Sequence, residues 1–208
     1  MNAKSGASSL VELVLVVAIA LGIALVVQAF IVKPYRIPSG SMEPTLAVGE
    51  RVIVNRIGNR FAAPGVGDIV VFHPPHGADT GTDACGNAGQ GPFYDGPRSH
   101  VPCDKPTATR SSQNFIKRVV GLPGDRIAIR DGHVVRNGVL QREPFIRTCG
   151  GGPECNLGTI TIPLGDYFMM GDNRGASDDS RFWGPVPRGW IVGDAFLSYW
   201  PPSHVGLL

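Results

Sequence analysis

The sequence predicts a mainly β protein: an antiparallel, barrel-like β domain with a β-hairpin subdomain, preceded by one N-terminal transmembrane helix. Two observations indicate this fold class. Residues 13–32 form one continuous apolar stretch, and the rest of the chain carries short apolar runs separated by turn residues, with no long amphipathic helix after residue 33. The 208 residues suffice for one anchor and one domain with a core of its own.

The apolar stretch is long enough to cross a membrane. Gln28 is the only polar side chain between Leu13 and Val32, and such a helix, rising about 1.5 Å per residue, spans a bilayer's hydrocarbon core. Cleaved secretory signals have shorter apolar cores, and a buried helix of a soluble domain is seldom apolar on every side. We therefore predict an uncleaved anchor at 10–32, after a cytoplasmic tail at 1–9.

The cysteines indicate which side of the membrane the domain at 33–208 occupies, because basic residues flank the anchor on both sides and give no firm answer. Cys85, Cys103, Cys149 and Cys155 all follow the anchor, as expected for a domain in an oxidising, extracytoplasmic compartment. Sequential pairing is favoured, because each pair brackets one short loop. The sequence thus predicts a single-pass protein of the plasma membrane with an exported domain.

Zinc binding is the alternative use of the first cysteine pair. His73, His76 and His100 lie in the same part of the chain as these two cysteines. The spacing matches no recognised zinc site, and exported cysteine pairs usually form disulfides. We therefore predict no metal and no other cofactor.

The first half of the domain contains three predicted strands. They are Arg51–Val54, Asp68–Phe72 and Phe115–Val120, each an apolar run bounded by turn residues. Residues 73–112 are rich in Gly, Pro, Ser and Thr and have too few apolar residues for a core of their own. We interpret this stretch as a surface insertion.

A β-hairpin subdomain is predicted at 126–163. Asp131-Gly132 and Asn137-Gly138 separate three apolar runs, and such dipeptides are strong hairpin signals. Two further strands are predicted near the end of the chain. The predicted strands of this half are Arg126–Arg130, His133–Arg136, Val139–Arg142, Asp166–Met170 and Ala195–Tyr199.

Candidate chemistry lies in serines and a lysine rather than in the histidines. The net charge of +2, with no basic cluster, argues against a nucleic-acid partner. In Ile37-Pro-Ser-Gly-Ser-Met-Glu-Pro-Thr-Leu46, two serines flank a glycine on a segment stiffened by prolines. In Asn114-Phe-Ile-Lys-Arg-Val-Val120, Lys117 has apolar neighbours, and burial would favour its neutral amine. Taken singly, turn serines and strand lysines are common.

These segments, together with Gly67-Asp-Ile-Val-Val-Phe72 and the Gly-Asp-Asn-Arg motif that begins at Gly171, resemble the signature boxes of bacterial type I signal peptidases in the same order. The resemblance covers the anchor and the chain from Tyr35 to Trp183. The insertion at 73–112 departs from the common pattern, and the sequence offers no functional account of it.

The resemblance implies a role for each matching residue. Ser41 matches the nucleophile and Lys117 its general base, while Ser39 matches a hydroxyl of the oxyanion hole. Ser177 matches a serine that hydrogen-bonds the lysine amine and orients it. The remaining matches are Asp172, Asp179 and Arg181, which hold the site together by ion pairs; the apolar pocket lining Tyr35, Ile37, Leu46, Val71, Phe115 and Ile116; and Cys149–Cys155, a disulfide of some members.

The implied activity is endopeptidase cleavage of signal peptides from exported preproteins, with small substrate residues at the first and third positions before the cut. The implied partners are preproteins, membrane lipid and the secretion translocase. Two other functions stay open at this point: a related processing peptidase of a conjugation or pilus system, and a non-enzymatic membrane-tethered binding domain.

Overall fold

The computed structural model describes residues 4–80, 85–87, 90, 103–152 and 155–208, and this part of the chain is mainly antiparallel β. The helices are α1 (Lys4–Phe30), α2 (Gly58–Phe61) and α3 (Ser180–Trp183). The strands are β1 (Val32–Arg36), β2 (Arg51–Asn55), β3 (Ile69–Phe72), β4 (Phe115–Gly121), β5 (Arg126–Arg130), β6 (His133–Arg136), β7 (Val139–Leu140), β8 (Leu157–Thr161), β9 (Asp166–Met170), β10 (Val186–Pro187), β11 (Ile191–Trp200) and β12 (Gly206–Leu207).

The larger sheet has eight strands in the order β1-β2-β11-β3-β4-β9-β10, with β12 beside β11. Every pairing is antiparallel. Among the described strands the path begins at β1 and ends at β10, so the predicted barrel-like sheet is open. Irregular register in β11 and in β4 marks bulges, which let a long strand bend between its neighbours.

The smaller sheet has the order β7-β6-β5-β8 and contains both hairpins expected from the sequence. Asp131 and Asn137 adopt positive φ angles of 51° and 54°, and each is followed by a glycine that also has positive φ. This backbone suits a tight turn between twisted antiparallel strands. The fourth strand, β8, was not predicted, since a glycine-rich segment precedes it.

Strand β4 lies where the apolar clusters of the two sheets meet, which explains the burial of its lysine. Val119 packs with Val70, Ile116 packs with Val71, and Val120 faces the cluster of the smaller sheet. A side chain in the middle of this strand therefore has little access to water. Lys117 is 4% exposed.

Helix α1 begins at Lys4 and ends at Phe30, so the last residues of the predicted anchor lie outside it and Val32 already belongs to β1. Over the described ranges, no helix is both long and apolar enough to cross a membrane. The predicted transmembrane helix is therefore not confirmed.

The predicted insertion at 73–112 is described only in part. Its two ends meet at an isolated antiparallel bridge between Pro75 and Arg110, and Cys85 pairs with Cys103 across its middle. Residues 81–84, 88–89 and 91–102 lie outside the described residues, as do residues 1–3 of the predicted tail.

Candidate active site

Ser41 and Lys117 meet where the serine turn packs on strand β4. Ser41 lies in a short 3-10 turn, Gly40–Met42, and Lys117 lies in the middle of β4. Lys117 Nζ and Ser41 Oγ form a hydrogen bond of 2.7 Å. Both side chains are buried, so this contact forms in surroundings of low polarity.

The surroundings of Lys117 favour its neutral amine. Burial lowers the pKa of Lys117 from 10.5 to about 8, and the carboxylates of Asp179 and Asp178 offset only part of this effect. At neutral pH, about a tenth of such lysines are neutral. An amine in this form can accept a proton from the hydroxyl that it contacts.

Ser39 lies beside the nucleophile candidate, with its hydroxyl donating to Ser41 Oγ at 3.4 Å. Ser39 adopts an extended backbone, with φ −136° and ψ 160°, directly before the 3-10 turn. This extended-to-turn geometry brings both hydroxyls to the same cavity.

Asp179 and Arg181 form a bidentate ion pair in which neither side chain has solvent exposure. Arg181 donates to the two carboxylate oxygens at 2.8 and 2.9 Å, and Ser177 Oγ and the backbone N–H of Gly171 also donate to Asp179. Burial opposes ionisation of Asp179, but Arg181 and these donors together hold its pKa below the usual value. The hydroxyl of Ser177 thus donates to Asp179 and not, as the resemblance implied, to the amine of Lys117. The hydrogen bond described for Lys117 is the one with Ser41.

Asp172 belongs to a second, separate ion pair. Its carboxylate accepts from Arg118 at 2.9 and 2.7 Å and from Thr45 Oγ1 at 2.5 Å. Arg118 follows Lys117 on β4, and successive residues of a strand point to opposite faces. The pair therefore ties β4 to the segment after Ser41 from the side away from the lysine.

The loop after β9 approaches the serine turn without space for a further carbon atom. A Cβ at Gly171 would overlap Ser177 Oγ and the carbonyl oxygen of Ser41, and would lie 2.6 Å from Ser177 Cβ. The backbone N–H of Asn173 donates to the carbonyl of Ser41, and its side-chain amide donates to the carbonyl of Gly40. Sequence reasoning did not single out Gly171 or Asn173, although both belong to the Gly-Asp-Asn-Arg motif.

Arg174 is a further residue that sequence reasoning missed. It has no solvent exposure, and its guanidinium donates to both carboxylate oxygens of Glu143, at 3.1 and 2.6 Å, and to the carbonyl of Gly132. Glu143 and Gly132 belong to the segment of the smaller sheet. The ion pair thus connects that sheet to the loop that holds Ser41.

A cavity of about 400 Å³ opens beside the serine and the lysine. Five of the six predicted pocket residues line it: Tyr35, Ile37, Val71, Phe115 and Ile116. Leu46 does not. It is fully buried with Met42 and Val52, because the chain turns inward after the serine and the N–H of Leu46 bonds to the carbonyl of Met42. Lining residues that were not predicted are Arg36, Pro38, Gln113, Asn114, Ala176 and Asp178.

Cys149 and Cys155 are paired, with Cα atoms 5.7 Å apart, against the loop that carries Asp179. A Cβ at Gly175 would lie 2.7 Å from the Cys149 carbonyl oxygen, so the two segments touch through their backbones. Cys85 and Cys103, with the same Cα separation, are paired in the insertion. The thiols that zinc would need are thus joined to each other, and His100 lies outside the described residues.

Comparisons with known proteins all indicate the same protein family. The family model "Signal peptidase, peptidase S26" matches residues 10–200. A probable signal peptidase I-1 of Synechocystis is 37% identical over 190 residues, which cover 91% of this chain and 82% of that protein. Signal peptidase I of Leptolyngbya laminosa is 34% identical over 201 residues, covering 97% and 85%. A signal peptidase I structure from Enterococcus faecalis covers 64% of this chain and 97% of that chain at 24% identity, with a TM-score of 0.37, too low to bear on the fold.

Proposed function

The chain belongs to the signal peptidase family S26, and we propose that it cleaves signal peptides with Ser41 as nucleophile and Lys117 as general base. Family membership, with relatives named signal peptidase I over most of the chain, makes the protein a serine peptidase that acts on signal-peptide-bearing preproteins. The assignment of the two residues is our own.

The 2.7 Å hydrogen bond between Lys117 Nζ and Ser41 Oγ is the observation that carries this proposal. A general base must lie within hydrogen-bond reach of the proton that it removes, and its pKa must be near the working pH. Lys117 meets both requirements, because burial brings its pKa to about 8. The described lining of the cavity contains no histidine that could act instead.

Acylation then proceeds by two transfers of one proton, through Lys117, and by the exchange of the C–N bond for a C–O bond. Neutral Lys117 takes the proton of Ser41 as Oγ attacks the scissile carbonyl carbon, and the resulting ammonium gives this proton to the nitrogen of the leaving amine. The C–N bond breaks, and the signal peptide stays on Ser41 as an ester. Lys117, neutral again, activates the water that hydrolyses the ester.

Ser39 and the backbone N–H of Ser41 are proposed as donors to the oxyanion. Negative charge develops on the carbonyl oxygen during attack, and fixed donors in a dry site stabilise it. Ser39 is suitable because its hydroxyl already contacts Ser41 Oγ and lies at the cavity. In the free enzyme this hydroxyl donates to the nucleophile, and substrate would take over the donor.

Ser177, Asp179 and Arg181 are proposed to position the lysine rather than to react. The carboxylate of Asp179, fixed by Arg181, orients the Ser177 hydroxyl, and Asp179 is the main charge that opposes the loss of the Lys117 proton. Asp172 with Arg118 fixes the opposite face of β4. Both ion pairs thereby help to fix the position of Lys117 relative to Ser41.

The cavity fits a substrate bound as an added strand. In an extended chain, alternate side chains point the same way, so the first and third residues before the cut face one wall. Ile37, Val71 and Ile116 make this wall apolar. Small apolar substrate residues fit such a surface.

We also propose that residues 10–32 anchor the enzyme in the plasma membrane by a single pass, with 1–9 in the cytoplasm and the peptidase domain, 33–208, outside. The supporting observation is the apolar surface of α1, where the large side chains from Leu10 to Leu25 are 48–65% exposed. Ser41 follows Val32 by nine residues, a reach of at most about 30 Å. The nucleophile would then lie near the bilayer, where preproteins emerge from the secretion translocase.

The other functions are less well supported. A binding domain without activity would need neither a buried lysine nor its contact with a serine, and the relatives described above are signal peptidases rather than pilus-processing enzymes.

Cleavage of a purified preprotein by the full chain in detergent, followed by sequencing of the new amino terminus, tests the proposal. We expect one cut after a small residue, made by wild type and lost in Ser41→Ala. Thr159→Ala, a change on β8 of the smaller sheet, is the control and should cleave like wild type. Normal cleavage by Ser41→Ala would refute the assignment of the nucleophile.

A further inference from the structure

The segment that joins β7 to β8 contacts the serine turn through Arg147, a residue that the mechanism proposed above does not use. Arg147 Nη1 donates to Glu43 Oε2 at 3.1 Å. Glu43 is the residue that ends the 3-10 turn containing Ser41, and its backbone N–H donates to the carbonyl of Gly40 at 3.1 Å. The ion pair therefore joins the smaller sheet to the end of the turn that carries the proposed nucleophile.

The backbone of Arg147 is itself fixed to the loop after β9. Its N–H donates to the carbonyl of Asp172 at 2.8 Å, and its carbonyl accepts from the N–H of Arg174 at 3.1 Å. These two bonds form an isolated parallel bridge between Arg147 and Asn173. The side chain of Arg147 thus reaches Glu43 from a backbone that the loop holds on both sides.

The Glu43 side chain lies back over the turn that it ends. A Cβ at Gly40 would lie 3.3 Å from Glu43 Cδ and 3.4 and 3.5 Å from its two carboxylate oxygens. A 3-10 turn has poorer hydrogen-bond geometry than an α-helix, so contacts from outside help to set its shape. Because Ser41 lies between Gly40 and Glu43, a displacement of the Glu43 carboxylate changes the position of Ser41 Oγ.

We propose that Arg147 is a positioning residue for the reaction: it holds Glu43, and thereby keeps the serine turn in the shape in which Ser41 contacts Lys117. This inference rests on the proposed function, because it takes Ser41 as the nucleophile. The side chains of the ion pair are 55% and 30% exposed, so the pair adds little to the stability of the fold. Its effect is expected in the rate of the chemical step, which depends steeply on the geometry of the reacting groups.

Steady-state cleavage of one preprotein by the full chain in detergent tests the inference. Arg147→Ala and Glu43→Ala should each lower kcat about 10-fold with little change in KM, and the double variant should lose no more than either single variant, because both changes remove the same ion pair. Arg147→Lys should keep most of the wild-type kcat. Arg136→Ala is the matched control, since it breaks an ion pair with Asp125 in the smaller sheet and should leave kcat unchanged.

A role in folding alone would give a different result. It would lower the melting temperature of Arg147→Ala and leave kcat unchanged at a temperature where far-UV circular dichroism shows both proteins to be folded. A wild-type kcat in Arg147→Ala, or losses that add up in the double variant, would overturn the inference. Salt provides a reading that needs no new fold: about 1 M salt should lower the kcat of wild type and not that of Arg147→Ala, because it screens an exposed ion pair. An equal effect of salt on both would also contradict the inference.

Failure of this inference and failure of the proposed function are distinguishable. If wild type cleaves the preprotein and Ser41→Ala does not, the proposed nucleophile is supported whatever the result for Arg147. If wild type does not cleave it, the proposed function is wrong.

Discussion

The backbone N–H of Asn173 donates to the carbonyl oxygen of Ser41 at 3.0 Å, joining the loop after β9 to the turn that carries the proposed nucleophile. The Asn173 side chain adds a second bond of 3.1 Å to the carbonyl of Gly40. The loop therefore holds the serine turn through its backbone carbonyl groups. How closely the loop can approach determines where Ser41 Oγ lies relative to Lys117.

Gly171→Ala should therefore inactivate the enzyme although it touches no substrate. The new methyl would collide with Ser177 and with the Ser41 carbonyl, and a displacement of about 1 Å in a catalytic group costs on the order of 100-fold in rate. Gly189→Ala is the control, since nothing lies within 4 Å of its added carbon. Steady-state cleavage and far-UV circular dichroism of both variants check this prediction. Wild-type kcat in Gly171→Ala would mean that the close contact has no role.

Ser39→Ala should be slower than wild type, whereas Ser41→Ala should have no activity. Loss of one oxyanion donor reduces kcat by roughly 100- to 1,000-fold, but loss of the nucleophile removes the covalent step. Single-turnover cleavage measures both, and KM should change little in Ser39→Ala. If the two variants were equally inactive, the division of roles between the serines would be wrong.

The catalytic rate should rise with pH through the pKa of Lys117, about 8, because only the neutral amine accepts the serine proton. The charged groups that act on the lysine are Asp172, Asp178, Asp179 and Arg181, and Asp179 stays ionised at neutral pH because its pKa is lowered. Lys117→Arg should be inactive at every accessible pH, since guanidinium does not lose its proton.

The measurement for this prediction is the pH profile of kcat/KM for wild type and for single His→Ala variants. Each histidine variant should keep the wild-type profile. Activity in Lys117→Arg would mean that Lys117 is not the base. The same would follow if one histidine variant that folds normally lost the rise of kcat/KM with pH.

Local signals account for most of what could be predicted from the sequence. Asn137-Gly138 predicts its hairpin because the turn geometry depends on those two residues alone. The apolar neighbours of Lys117 predict a buried lysine, and it is 4% exposed. By contrast, β1 was missed because Val32–Arg36 contains a proline and directly follows a helix.

Apart from the contact of Ser41 with Lys117, which the family resemblance implied, most contacts between distant segments could not be predicted. Arg174 is paired with Glu143 of the smaller sheet, and neither residue's neighbours indicate the other. Thr45 and Arg118 both bind Asp172, and this contact was also missed, because the fold brings the three residues together and no local sequence pattern indicates it. The same limit explains why Leu46 was wrongly predicted to line the pocket, since an apolar side chain suits the core as well as the pocket.

The cysteine pairs predict a mass 4 Da below that of the fully reduced chain, since each disulfide removes two hydrogens. Protein taken from its native compartment should resist alkylation without reductant. Cys149→Ser with Cys155→Ser should also lower activity, because the pair packs on the loop that carries Asp179, and Cys85→Ser with Cys103→Ser is the matched control in the insertion. Four alkylated thiols in native protein would refute the crosslinks.

Lys117→Met should abolish cleavage and, at neutral pH, make the protein more stable. The pKa of Lys117 is about 8 in the folded chain against 10.5 for an unperturbed lysine. Between these values the unfolded chain binds more protons than the folded chain, so the lysine contribution to stability rises with pH across this window.

Below pH 8 the lysine is charged in both states, and burying the ammonium costs about 3 kcal/mol, from the two pKa values, relative to a neutral group. Methionine has a similar volume and carries no charge, so Lys117→Met avoids this cost. The increase in the free energy of unfolding of Lys117→Met over wild type should be largest near pH 7 and should shrink toward pH 10.5. Urea unfolding of wild type and variant in the same detergent, at pH 7 and pH 10, measures the difference. A variant less stable than wild type at pH 7, or a difference that does not change with pH, would show that burial of the charged lysine does not destabilise the folded chain.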